Sequence, residues 1–294
     1  MKKPQWITLA VAGILTLVIF KFARITPEYK PALATDNQQH SADDGHDHGP
    51  AASDFSIDTL LLQAKKSLSP NQLIWINNLE NSITRGDVKN QQLSVYHQLS
   101  HFWKDSARIF EPYAWYEAEG ARLENSEKSL TFAARLFLDE LQNDQLDNRR
   151  MWKALQAKDL FERSLKINPD NDSAKVGLGA CYLFGNITSN PMEGIAKIRE
   201  VVQKDSTNIY AQLTLVKGSM LSGQFDKAIS RLETVIKLQP DNWESHLLMA
   251  DLFERKQEFK NAIQWYEKSL AFIQQPEVKA AVRQRIEDLK KEDK

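Results

Sequence analysis

From residue 55 onward, apolar residues recur three and four positions apart, the spacing of one face of an α-helix, and no stretch alternates with period two for long. The pattern predicts helices near 57–68, 70–84, 88–104, 107–123, 127–144 and 149–167. Further helices are predicted near 172–184, 191–204, 208–221, 225–238, 242–255, 259–272 and 277–291. The C-terminal third adds a second regularity. Phe225 recurs as Phe259, Ala228 as Ala262 and Ile229 as Ile263, a period of 34, and Gly223 is followed at the same offset by Gln257. A period of this length, spent on two amphipathic helices and a tight turn, predicts an all-α solenoid of stacked helical hairpins.

Within one period the residue sizes follow from the packing. Ala228 is small where two helices must cross, Leu232 is bulky and Val235 compact. Pro240 lacks a donor N–H and disfavours helix in the residue before it, so it ends the unit. Asp241-Asn242 then supply capping oxygens for the next helix. In that helix Met249-Ala250 and Phe253 take interior positions, answered by Ala262, Tyr266 and Ser269 on its partner.

These residues resemble the tetratricopeptide repeat (TPR) family. Its pattern places a Leu-Gly pair and a Tyr on the first helix, then Ala, an aromatic and a small residue on the second, then Pro. Leu178-Gly179 and Tyr182 match the first helix; Ala157, Phe161, Ser164 and Pro169 match the second helix of the unit before. About three extra residues lie around Gly185–Thr188, Gly194 replaces the usual Ala, and Ser219 stands where Tyr is expected. The resemblance implies a right-handed TPR-type solenoid, with repeats over 155–276 (172–208, 209–242 and 243–276). A degenerate, TPR-like helical region is expected over 55–154, where Trp75–Leu79 through Leu99 and Tyr113 through Phe137 carry weaker matches. Residues 277–294 read as a capping helix, with a narrow apolar stripe at Val278, Val282, Ile286 and Leu289.

The N-terminal pattern is different. Lys2 and Lys3 precede an uncharged run from Pro4 to Phe20, so residues 1–23 are expected to form a single transmembrane signal-anchor, with Trp6 at the interface and Lys21 snorkelling. A cleaved signal peptide is the competing reading, since Ala32-Leu33-Ala34 has the form of a cleavage site. It lies well beyond the apolar run, after Arg24, Glu28 and Lys30, so the uncleaved anchor is favoured. Residues 24–54 carry Pro27, Pro31 and Pro50 with polar and acidic residues and no apolar period, which predicts a disordered linker. This layout resembles N-terminally anchored bacterial TPR proteins. The expected location is the cell membrane, single-pass, with the C-terminal domain periplasmic.

Composition changes this picture little. The 294 residues are 42% hydrophobic and 26% charged, ordinary for folded protein, and a net charge of −1 provides no electrostatic footprint for nucleic acid. One cysteine, Cys181, rules out an internal disulfide framework.

Candidate chemistry is sparse. His40, His46 and His48, among Asp43, Asp44 and Asp47, could gather around a divalent metal, although a spacer offers neither four fixed ligands nor a second shell. His97 and His101 share a helix face at i, i+4, but no glutamate completes a metalloprotease motif, and packing or solvent exposure accounts for them better. Gly177-Leu178-Gly179 lacks the strand and the third glycine of a dinucleotide fingerprint and reads as close packing. No catalytic constellation and no cofactor is expected, so the chain does not read as an enzyme. The inner surface of the array is expected to carry Ser173, Val176, Ala180, Tyr210, Leu213, Lys217, Leu247 and Asp251, with Tyr210 and Leu213 as anchors. That mixture suits an apolar or amphipathic peptide. The expected function is a membrane-tethered scaffold holding a protein or peptide partner without catalysis. The alternative is a metal-handling accessory factor that uses the histidine-bearing linker.

Overall fold

The computed structural model of the chain describes residues 56–85, 88–141 and 143–292. The anchor expected over 1–23 and the linker over 24–54, with His40, His46 and His48, lie outside the described residues. Thirteen α-helices and one π-helical turn run through those residues, and no strand occurs among them. They begin with α1 (Ile57–Lys65), α2 (Pro70–Arg85), α3 (Lys89–His101), the π-helical turn (Phe102–Ala107), α4 (Phe110–Glu124), α5 (Glu127–Leu141) and α6 (Asp147–Ile167). They continue with α7 (Asp172–Phe184), α8 (Met192–Lys204), α9 (Ile209–Leu221), α10 (Phe225–Leu238), α11 (Trp243–Arg255), α12 (Phe259–Ser269) and α13 (Pro276–Glu292). No helix among the described residues is long and apolar enough to cross a membrane.

The chain folds as hairpins, α3 with α4, α5 with α6, α7 with α8, α9 with α10 and α11 with α12. Each hairpin packs on the next, and α5, α7 and α9 also touch in succession. This is the architecture of an all-α, TPR-like solenoid, in which each layer buries its apolar face against its neighbours. The division expected at residues 154 and 155 falls inside α6, which is continuous through it.

Three junctions between hairpins repeat one turn. Asn168-Pro169-Asp170-Asn171, Asp205-Ser206-Thr207-Asn208 and Gln239-Pro240-Asp241-Asn242 are each closed by an N–H donated from the last residue to the first carbonyl, at 3.2, 3.2 and 3.1 Å. Each terminal Asn then caps the next helix: Asn171 accepts from Ala174 N–H at 2.9 Å, Asn208 from Ala211 at 3.0 Å and Asn242 from Ser245 at 3.1 Å. Within hairpins, Gly223 and Gln257 take left-handed backbone, with φ of 70° and 61°. The following N–H of each reaches five residues back, Gln224 to Ser219 O and Glu258 to Phe253 O, both at 2.8 Å.

Ala228, Leu232 and Val235 are wholly buried, as are Met249, Ala250 and Ala262. Gly177 faces Phe161, and a Cβ built on it would stand 2.2 Å from the ring. That is the close approach expected of this glycine. At the C-terminal end, α13 buries Val282, Ile286 and Leu289. Arg285 of α13 pairs with Glu254 of α11, which also accepts from the Tyr266 hydroxyl at 3.1 Å.

The earlier half carries more buried polarity. Asp144, between α5 and α6, has no exposed side-chain surface; it meets Lys153 Nζ at 3.0 Å, and Arg149 also pairs with it. Lys153 is itself 4% exposed and reaches Glu111 of α4 at 3.1 Å. Burial alone would raise the Asp144 carboxyl, but hydrogen bonds from Arg149, Lys153 and the Leu146 N–H outweigh it and hold it at about 2. The cluster clamps α4, the α5–α6 loop and α6 together.

Candidate partner-binding groove

The first helices α7, α9 and α11 point side chains into a groove of about 640 Å³. Its apolar lining comes from the C-terminal ends of α7 and α9 with one residue of α11: Tyr182, Leu183, Phe184, Met220, Leu221 and Leu248. Leu221 is 71% exposed, an apolar side chain with nothing of its own chain over it. Arg150, Lys217 and Arg255 also line the groove. Arg255 is neutralised by Asp251 at 2.9 Å and Arg150 by Asp147, whereas Lys217 stands exposed and makes no ion pair among the described residues.

The expected inner-surface residues are dispersed relative to this groove. Lys217 lines it, and Asp251 borders it through Arg255. Val176 is wholly buried among Ile198, Val201, Ala211 and Leu215, so it is core and not surface. Ala180, 3% exposed, belongs to the core as well, although it meets Tyr210 and Lys217 at a small side cavity of about 130 Å³. Tyr210 packs on the Val176 cluster with the Arg135 guanidinium 5.4 Å from its ring centre. Its hydroxyl is sealed from solvent without a partner among the described residues, and burial pushes its pKa up. Leu213 packs towards α10 and α11 beside Val216 and Met249, and Leu247 towards the cap beside Ile273 and Ile286. Ser173 is half-buried.

Val176 is enclosed by α8 and α9, and Leu213 and Leu247 pack against the layers that follow, whereas Leu221, at the last residue of α9, is left exposed. Met220-Leu221, an apolar pair running past the helical stripe up to the Gly223 turn, was the signal in the sequence.

Reactive groups elsewhere are few. Cys181 is buried and its thiol is pushed up by that burial, which makes it inert. Among the described residues no three His, Cys, Asp or Glu side chains converge as a metal cluster. His97 and His101 are both exposed on α3.

The tetratricopeptide repeat family model matches residues 221–277. No curated protein sequence matches the chain. Among solved structures, a tetratricopeptide repeat protein from Parabacteroides merdae is similar at 14% identity, with a TM-score of 0.53, over 80% of this chain and 87% of that one. MamA from Desulfovibrio magneticus is 19% identical over 64% of this chain and 96% of its own, with a TM-score of 0.42. YrrB, described as a TPR protein with an unusual peptide-binding site, is 13% identical over 70% and 97%, with a TM-score of 0.41. The period, the capped turns between hairpins and the family match agree: residues 221–277 carry the tetratricopeptide repeat, and the described helices form a TPR-like fold.

Proposed function

We propose that this protein is a membrane-tethered, non-catalytic scaffold that holds a protein or peptide segment in the groove across α7, α9 and α11. The observation carrying this reading is the exposed Leu221 in a groove otherwise lined by half-buried apolar side chains, with exposed Lys217, whose charge also acts on Asp139, beside it. An amphipathic segment would bury its apolar side chains on Leu183, Leu221 and Leu248 and set an acidic side chain beside Lys217. Tethering rests on the apolar run Pro4–Phe20 behind Lys2 and Lys3, and it places the repeats outside the cytoplasm, where they meet membrane-bound partners at raised local concentration.

Crosslinked pull-downs from membranes test the groove. Leu221→Glu is expected to lower partner recovery at least about fivefold, the effect of losing an anchor of roughly 1 kcal/mol, with unchanged circular dichroism. Lys217→Glu is expected to weaken capture chiefly at low salt, because screening blunts an exposed charge. Equal recovery by wild type and Leu221→Glu would place binding elsewhere. Protease treatment of spheroplasts tests the orientation: full protection of the repeats would reverse it.

A further inference from the structure

We propose that His97 and His101 form a metal site for a tetragonal divalent ion, Cu²⁺ above all, at the N-terminal end of the array. The two residues are one turn apart on α3, so their Cβ atoms lie about 5–6 Å from each other on a single face. Both side chains are exposed, and both open onto the same cleft of about 970 Å³, which also takes in Trp75 and Phe102. Packing therefore does not account for either ring.

The second observation is the carboxylate behind the pair. Asp105, one turn further on in the π-helical turn, has Oδ2 3.3 Å from His101 Nδ1. In the tautomer that carries its proton on Nδ1, His101 donates to that carboxylate and leaves its Nε2 lone pair facing away from it. This is how metal-binding imidazoles are supported by a second shell. Lys104, the cation in the same turn, is drawn off over the Tyr113 ring at 5.5 Å. His97 makes no hydrogen bond among the described residues, so its ring is free to turn towards the ion.

Two imidazoles on an exposed helix leave the other coordination positions to water. That arrangement disfavours structural Zn²⁺, which takes four protein ligands, and suits Cu²⁺, which accepts a tetragonal set of nitrogen and oxygen and heads the divalent affinity order. The ion would sit at the mouth of the cleft, away from the groove across α7, α9 and α11.

The test uses the full-length chain with His40, His46 and His48 replaced by alanine, which leaves His97, His101 and the buried His246 as its only imidazoles. Copper sulfate is titrated and followed by electron paramagnetic resonance. The expected result is one Cu²⁺ per chain with two equatorial nitrogens, and affinities in the order Cu²⁺, Ni²⁺, Zn²⁺. His97→Ala and His101→Ala should each remove one nitrogen from the spectrum with unchanged circular dichroism. Asp105→Asn should keep both nitrogens and lower affinity by about 10–100-fold. A copper spectrum unaltered by His97→Ala and His101→Ala would mean adventitious binding elsewhere and would overturn the proposal, as would no bound copper in the linker variant.

Discussion

Gly179 of α7 and Gly194 of α8 face each other across a helix crossing so close that a Cβ on Gly194 would stand 2.4 Å from the Gly179 carbonyl oxygen. A Cβ on Gly179 would in turn meet Ile198 at 2.6 Å and the Gly194 carbonyl at 2.7 Å. Backbone is opposed to backbone, so no side chain can swing aside. Gly194→Ala is expected to cost about 1–3 kcal/mol by overpacking, although alanine is the better helix former. Ala228→Leu and Ala262→Leu, at the wholly buried equivalent positions, should cost a similar amount. Urea unfolding of the three variants measures this, and midpoints equal to wild type would refute the close crossing.

Gln257 has the left-handed backbone that Gly223 adopts 34 residues earlier. A side chain there is strained by about 1–2 kcal/mol, part of which glycine loses again through its freer unfolded chain. Gln257→Gly should therefore raise stability by up to about 1 kcal/mol, and Gly223→Ala should lower it. Thermal melts of both variants shifting in the same direction would sink the argument.

Asp144 provides an acid limit. Its folded pKa of about 2 lies below the unfolded value of roughly 3.9, so its contribution is complete above pH 4 and is lost as pH falls through 2. Asp144→Asn should flatten this part of a stability–pH profile. At neutral pH it should cost about 3 kcal/mol, the lower end for breaking a buried pair, because Glu111 remains beside Lys153 at 3.1 Å. A variant with wild-type stability at pH 7 would show the cluster to be dispensable.

His246 sets a second limit nearer neutrality. Its ring lies between Trp265 at 5.7 Å and Phe272 at 5.3 Å, with Nδ1 sealed and unpartnered among the described residues. Burial, then the charge of Lys268, lowers its pKa, so the folded chain resists a proton that the unfolded chain takes up near about 6.5. Stability is full above that value and declines as pH falls below it. Melting temperatures between pH 7.5 and 5 should show this slope, and His246→Phe should remove it. An identical slope in the variant would assign it to another group.

Much of the array was legible because turns and crossings impose local rules. Pro169, Pro240 and Asn242 announce where hairpins begin, and the small residues at 194, 228 and 262 announce where helices cross. The groove was less legible because both buried and uncovered positions on α7 and α9 are apolar. Val176 and Leu221 look alike in the sequence; only the packing of α8 and α9 around Val176 separates them. The π-helical turn was hidden for a related reason: Phe102 and Trp103 continue the apolar pattern of α3, and no residue marks the change of hydrogen bonding. The Asp144 cluster joins residues from three elements, a coincidence that periodicity does not encode.

The repeated, individually capped junctions also determine how the groove yields to an arriving ligand. In a stack whose hairpins contact their neighbours, a deformation is expected to be shared among the junctions that join α7, α9 and α11. A ligand spanning three layers thus collects several small compliances, and it stiffens all of them when it binds. Bound partner should therefore slow hydrogen exchange in α7, α9 and α11 together, with the two ends of the array left at their free rates.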